Sequence, residues 1–103
     1  MNNDRELLEF AANAVGIDTG WINGFPHTED GEPWDPLIHD GAAFRLAVEL
    51  RLDIMFFSGS EEVICSGPNE TDENVIEPYG GDIDAAVRRA IVRAAAEIGR
   101  VMK

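Results

Sequence analysis

The chain has a single cysteine, Cys65, so no disulfide can form within it, and a buried, inert thiol is the expectation for that residue. Bases are scarce as well. Only 8 Lys and Arg stand against 20 Asp and Glu, a formal net charge of −12. That balance opposes non-specific contact with nucleic acid or an anionic membrane, and it favours partners with a basic surface. No apolar run approaches the roughly 18 residues that a membrane span requires. The opening Met1-Asn2-Asn3-Asp4-Arg5-Glu6 is polar, unlike the basic and then apolar layout of a signal peptide, and the expected location is cytoplasmic. Gly80-Gly81 precedes Asp82 without the Lys and Ser/Thr of a phosphate loop, and no Ser, His and Asp set has a nucleophile context. Neither catalysis nor a cofactor is expected.

What is present suits one domain spanning 1–103, since 103 residues with 45% hydrophobic content can bury one modest core. Apolar spacings of three and four residues predict helices over about 4–15, 41–52 and 83–101. Asn3 and Glu6 have the spacing of a capping box, and Gly16 can close the first helix. Asp40 is placed as the N-cap of the second helix and Asp82 as that of the third. In the third, Ile83, Val87, Ala90, Ile91, Ala94, Ile98 and Val101 mark one continuous face. Residues 53–58 and 62–66 predict two antiparallel strands around Gly59-Ser60, with a third short strand over 74–77. Between the first two helices, Glu29-Asp30-Gly31-Glu32 reads as a turn that sets Trp21 to Phe25 against Glu32 to Trp34, with both tryptophans closing the open end of the core. The order of elements predicts an α+β fold, a short antiparallel sheet packed between helices.

Three segments together resemble the short phage and prophage proteins grouped as the phage ABA sandwich domain family. They are Asp4-Arg5-Glu6-Leu7-Leu8-Glu9-Phe10-Ala11; Trp34-Asp35-Pro36-Leu37 with Asp40-Gly41 and Phe44-Arg45-Leu46-Ala47-Val48; and Ala86-Val87-Arg88-Arg89-Ala90-Ile91-Val92-Arg93-Ala94-Ala95-Ala96-Glu97-Ile98-Gly99-Arg100. The resemblance implies an α/β/α sandwich and a phage or prophage accessory protein in the host cell. It brings no catalytic residue with it.

The charge is unevenly placed: residues 1–87 hold 19 acids and 3 bases, whereas 88–103 hold 5 bases and 1 acid. Arg88, Arg89, Arg93, Arg100 and Lys103 could meet a nucleic acid, but a helix face that pairs with the acidic remainder of the domain is the favoured reading. Trp21, Trp34, Phe25 and Tyr79 are assigned to closing the core ahead of forming a ligand platform. His27, Glu29, Asp30, Glu32, Asp35 and His39 offer six possible metal ligands, yet their spacing fits neither an EF-hand nor a paired-histidine zinc motif. The functional expectation is an acidic protein-binding module, a nucleic-acid-mimicking inhibitor or adaptor of a host or phage protein. Its contact residues would be Glu61, Glu62, Glu70, Asp72, Glu73 and Glu77. The alternatives are a homo-oligomeric assembly protein using apolar surface on the alanine-rich last helix, and a metal-dependent enzyme built on the 27–39 loop.

Overall fold

Helices form where apolar residues recur at helical spacing: α1 (Asp4–Ala14), α2 (Asp40–Leu50) and α3 (Ile83–Val101). The computed structural model describes residues 4–67 and 74–102. Its strands are β1 (Thr19–Ile22) and β2 (Phe25–Thr28), which make one antiparallel sheet, and β3 (Asp53–Phe57), β4 (Glu62–Ser66) and β5 (Val75–Pro78), which make another in the order β3-β4-β5. The class is α+β with the sheet set between helices, as the periodicity predicts. The capping box involves Asn3, which lies outside the described residues.

α3 is the centre of the molecule. The stripe read from the sequence is buried only in its middle, for Ile83 and Val101 at its ends are 47% and 75% exposed. A second buried face, missing from the predicted stripe, carries Val92, Ala95, Ala96 and Gly99. Gly99 belongs to the contact with α1: a Cβ there would overlap the carbonyl oxygen of Phe10 and stand 2.8 Å from its carbon and 3.1 Å from the Ala14 nitrogen. The Asn13 amide donates to the Gly99 carbonyl at 2.9 Å, and Arg89 reaches Asp4 at 2.9 Å, so α1 and α3 run parallel in close contact. Ala11 and Ala12 are fully buried on the α1 side. Small side chains on both helices let the backbones approach this closely.

The register of the larger sheet pairs Ile54 with Cys65 and Cys65 with Val75, so these residues share one face with Phe56 and Val63. Val63 and Cys65 are completely buried, and β4 and β5 pack on α3. Burying Val63 contributes about 2 kcal/mol. Alternation sends Met55, Phe57, Ile64 and Ile76 to the opposite face, where Met55, Phe57 and Ile76 remain 42–48% exposed.

Two local expectations need correction. The hairpin pairs β1 with β2 around Asn23-Gly24, with Thr19 opposite Thr28 and Ile22 opposite Phe25. Asn23 (φ 53) and Gly24 (φ 82) are both left-handed, the backbone of a two-residue turn that matches strand twist. The predicted turn at 29–32 is also present, since Thr28 N–H donates to the Glu32 carbonyl at 2.8 Å, but it leads only to an isolated bridge between His27 and Pro33. Proline has no N–H to extend that ladder. Secondly, Asp40 is the first residue of α2, not its cap: His39 occupies the N-cap with no side-chain bond, and the Asp40 carboxylate turns to Arg88. Asp82 does cap α3, accepting from Ala85 N–H at 3.0 Å.

Replacing Gly99 by alanine tests the α1–α3 contact. Alanine favours a helix by about 1 kcal/mol over glycine, yet the Cβ must displace backbone, and a net loss of about 1–3 kcal/mol is expected in urea unfolding. An unchanged or raised midpoint would show that the helices do not approach this closely.

Candidate functional site

Five of the seven arginines are engaged by carboxylates. Arg88, with a side chain only 18% exposed, donates through Nε to the Leu37 carbonyl at 2.9 Å and through Nη1 to Asp40 at 2.6 Å, fixing the entry to α2. Arg89 holds the start of α1 through Asp4. Arg93 binds Glu77 and the Ile76 carbonyl of β5. Arg100 lies 3.7 Å from Glu97 and stacks over Phe10 at 4.5 Å, while Arg5 pairs with Glu9 and lies 4.6 Å from the centre of the Trp21 ring. Of the basic residues predicted to meet the acidic remainder of the domain, Arg88, Arg89 and Arg93 do so, on α2, α1 and β5, whereas Arg100 pairs within α3 and Lys103 lies outside the described residues.

This pairing divides the acids singled out in the sequence. Glu77 leaves the set of free contact residues, because its side chain is 13% exposed and committed to Arg93. Alternation on β5 explains why: Glu77 shares the inward face with Val75. Glu61 is exposed in the turn before β4, where it takes a left-handed φ of 56°, and its carbonyl accepts from Tyr79 N–H at 2.8 Å. Glu62 is half-buried opposite Phe57 and Pro78. Glu70, Asp72 and Glu73 lie outside the described residues. Asp82 and Asp84 are exposed at the start of α3.

The 27–39 loop does not gather its ligands: among the described residues no three His, Cys, Asp or Glu side chains are placed to hold a metal ion. The His27 ring pairs with the Phe25 carbonyl at 2.9 Å, and Asp35 accepts from Leu37 N–H at 3.1 Å, so both serve local turns. Trp34 is buried in the core and Trp21 and Tyr79 pack against it, whereas Phe25 is 62% exposed. On α3, Ala86, Ala90, Ala94, Ala95 and Ala96 are all buried. The exposed apolar surface of α3, expected for self-assembly, is confined to its ends at Ile83 and Val101 and owes nothing to these alanines.

What sequence reasoning missed is a groove of about 370 Å³ where α2, β3 and the first half of α3 diverge. Its walls are Ala43 and Phe44 of α2, Ile54 and Phe56 of β3, and Ile83 and Val87 of α3; Phe44 and Phe56 are 69% and 56% exposed. Asp40, Asp84 and Arg88 line it as well. The available signal was Phe44 and Phe56 themselves, apolar residues in excess of what the core between α2 and β3 accommodates. Among the described residues no helix is long and apolar enough to cross a membrane.

No protein-family model, curated protein or solved structure matches the chain. Function must therefore be argued from the site.

Cys65 is removed from any nucleophilic role by its surroundings. It is completely buried, and burial, with a smaller contribution from the Asp53 charge, pushes the thiol up to about 12. Its thiol ionises in the unfolded chain at lower pH than in the fold, so its contribution to stability is complete below the unfolded value, near 8.5, and is lost as pH rises toward 12. Alkylation by iodoacetamide at pH 8 should be negligible in the native protein and rapid in urea; fast native labelling would place the thiol at the surface.

Proposed function

We propose that the protein is an acidic binding module for a host or phage protein with a basic surface. The observation that carries this reading is the pairing of the arginines with the chain's own carboxylates. Arg88, Arg89, Arg93 and Arg100 each lie against an acid of the same chain, so they are less available to an anionic partner while the excess of acids remains. A net charge of −12 on a molecule with a radius of gyration of 13.2 Å produces a field that draws in cationic surfaces and repels phosphate backbones. Glu61 and Glu62, together with Glu70, Asp72 and Glu73 from the sequence between β4 and β5, supply the carboxylates of the proposed contact, and a partner's own nucleic-acid groove is a surface they would suit. The accessory role in a phage or prophage, and the cytoplasm of its host as the place of action, belong to the same proposal and come from the resemblance of segments 4–11, 34–48 and 86–100.

Self-assembly has one observation in its favour, the exposed sheet face with Met55, Phe57 and Ile76. Like charge on every copy opposes it. Light scattering separates the two readings, a monomer favouring the binding module and a stable multimer the assembly.

Affinity capture from bacterial lysate at low and moderate salt tests the module. A partner retained at low salt should fall by about tenfold or more at moderate salt. It should fall likewise when Glu61, Glu62, Glu70 and Glu73 become Gln and Asp72 becomes Asn. Glu77→Gln serves as the contrast: it should reduce stability by about 1 kcal/mol through loss of the Arg93 bond and leave capture unchanged. Capture indifferent to salt and to the carboxylates would overturn the reading.

A further inference from the structure

The groove between α2, β3 and α3 has three properties that together define an occupant. It is apolar at its floor, with Ile54 and Phe56 two residues apart on the same face of β3. One wall is an edge strand: β3 pairs with β4 on one side, and among the described residues no strand pairs with the other. A free edge offers main-chain donors and acceptors to an incoming extended segment, whose alternate side chains would then follow the same two-residue period.

The third property is the sign of its rim. Arg88 is neutralised by Asp40, leaving Asp84 at the rim with no hydrogen bond or ion pair among the described residues and Asp82 beside it on the cap of α3. The N-terminal ends of α2 and α3 contribute roughly half a positive charge each, which does not cancel the two carboxylates together with the field of the whole molecule. An anionic segment is excluded by that sign. A second copy is disfavoured too, since a two-fold arrangement would bring this same rim against itself.

We infer that the groove takes an extended segment of the partner, added along the free edge of β3, with alternate apolar side chains seated on Phe44, Phe56 and Ile83 and Lys or Arg at its ends facing Asp82 and Asp84. This rests on the reading of the protein as an acidic module and adds the apolar anchor that carboxylates alone cannot provide. Charge brings the partner in and sets the rate of encounter; the buried apolar contacts set how long it stays.

Three synthetic peptides test this by titration into the isotopically labelled full chain, followed through backbone amide resonances. The first alternates Val and Thr at its centre with lysines at both ends, the second has the same centre with glutamates at its ends, and the third has lysine ends and a centre of Ser and Thr. The first should shift the amides of Phe44, of β3 and of Ile83, and bind at least about tenfold more tightly than either of the others. Phe56→Ser and Phe44→Ser, each at a largely exposed residue, should each weaken it by about tenfold or more while circular dichroism stays unchanged. If both lysine-ended peptides bind equally, in a salt-dependent way and without shifting β3, the acidic module stands and the groove inference falls. If neither binds, both fall. A concentration-dependent dimer abolished by Phe56→Ser would seat a second copy in the groove and overturn the inference.

Discussion

The backbone contact between α1 and α3 at Gly99 governs how the remaining elements can be arranged. With Ala11 and Ala12 on one helix and Ala95, Ala96 and Gly99 on the other, the two axes lie close enough that a single added methyl group meets a carbonyl. That approach consumes one side of α3 and leaves its other sides for β4, β5 and α2. A helix apolar on more than one side is stable only when those sides are covered, and α1, α2, β4 and β5 all pack on α3. The sheet, the second helix and the groove between them take their positions from it.

Electrostatics follows the same plan. Three of the four arginines of α3 leave the central helix in different directions and end on α1, on the entry to α2 and on β5. Exposed pairs of this kind stabilise by little, about 0–1 kcal/mol each. Arg88 and Glu77 are largely enclosed, so leaving either without its partner costs more than the pair itself contributes. The larger effect is on what remains outside. Internal pairing occupies five of the seven arginines, and at the apolar groove it leaves Asp84 as the carboxylate of the lining that is unpaired among the described residues.

Much of the fold was legible because the physics is local. Helical spacing located α1, α2 and α3 to within a residue or two, Asp82 announced its cap, and Ile54 to Phe57 and Val63 to Cys65 announced a pair of strands. The hairpin was misplaced because two turn signals compete in 19–34, and the stronger one, Asn23-Gly24, sits inside a run that its aromatic residues make look continuous. Asp40 was misassigned because its alternative partner, Arg88, lies 48 residues away in sequence. The same limit governs the site. No local pattern tells that Glu77 faces Arg93, or that Phe44 and Phe56 stand on two walls of one groove, since both facts depend on the packing of separated elements.

The parallel pairing of α1 with α3 has a consequence for how the chain is made. The bonds from Asn13 to Gly99 and from Arg89 to Asp4 close loops of 86 and 85 residues, so α1 is synthesised long before the surface that buries it exists. Before α3 is made, residues 1–87 carry 19 acids against 3 bases and lack the helix on which the other elements pack. A like charge of that size opposes both their collapse and their association with other copies. The last helix supplies the missing core and the missing countercharge in a single event, so that condensation of the domain is tied to the arrival of its final segment.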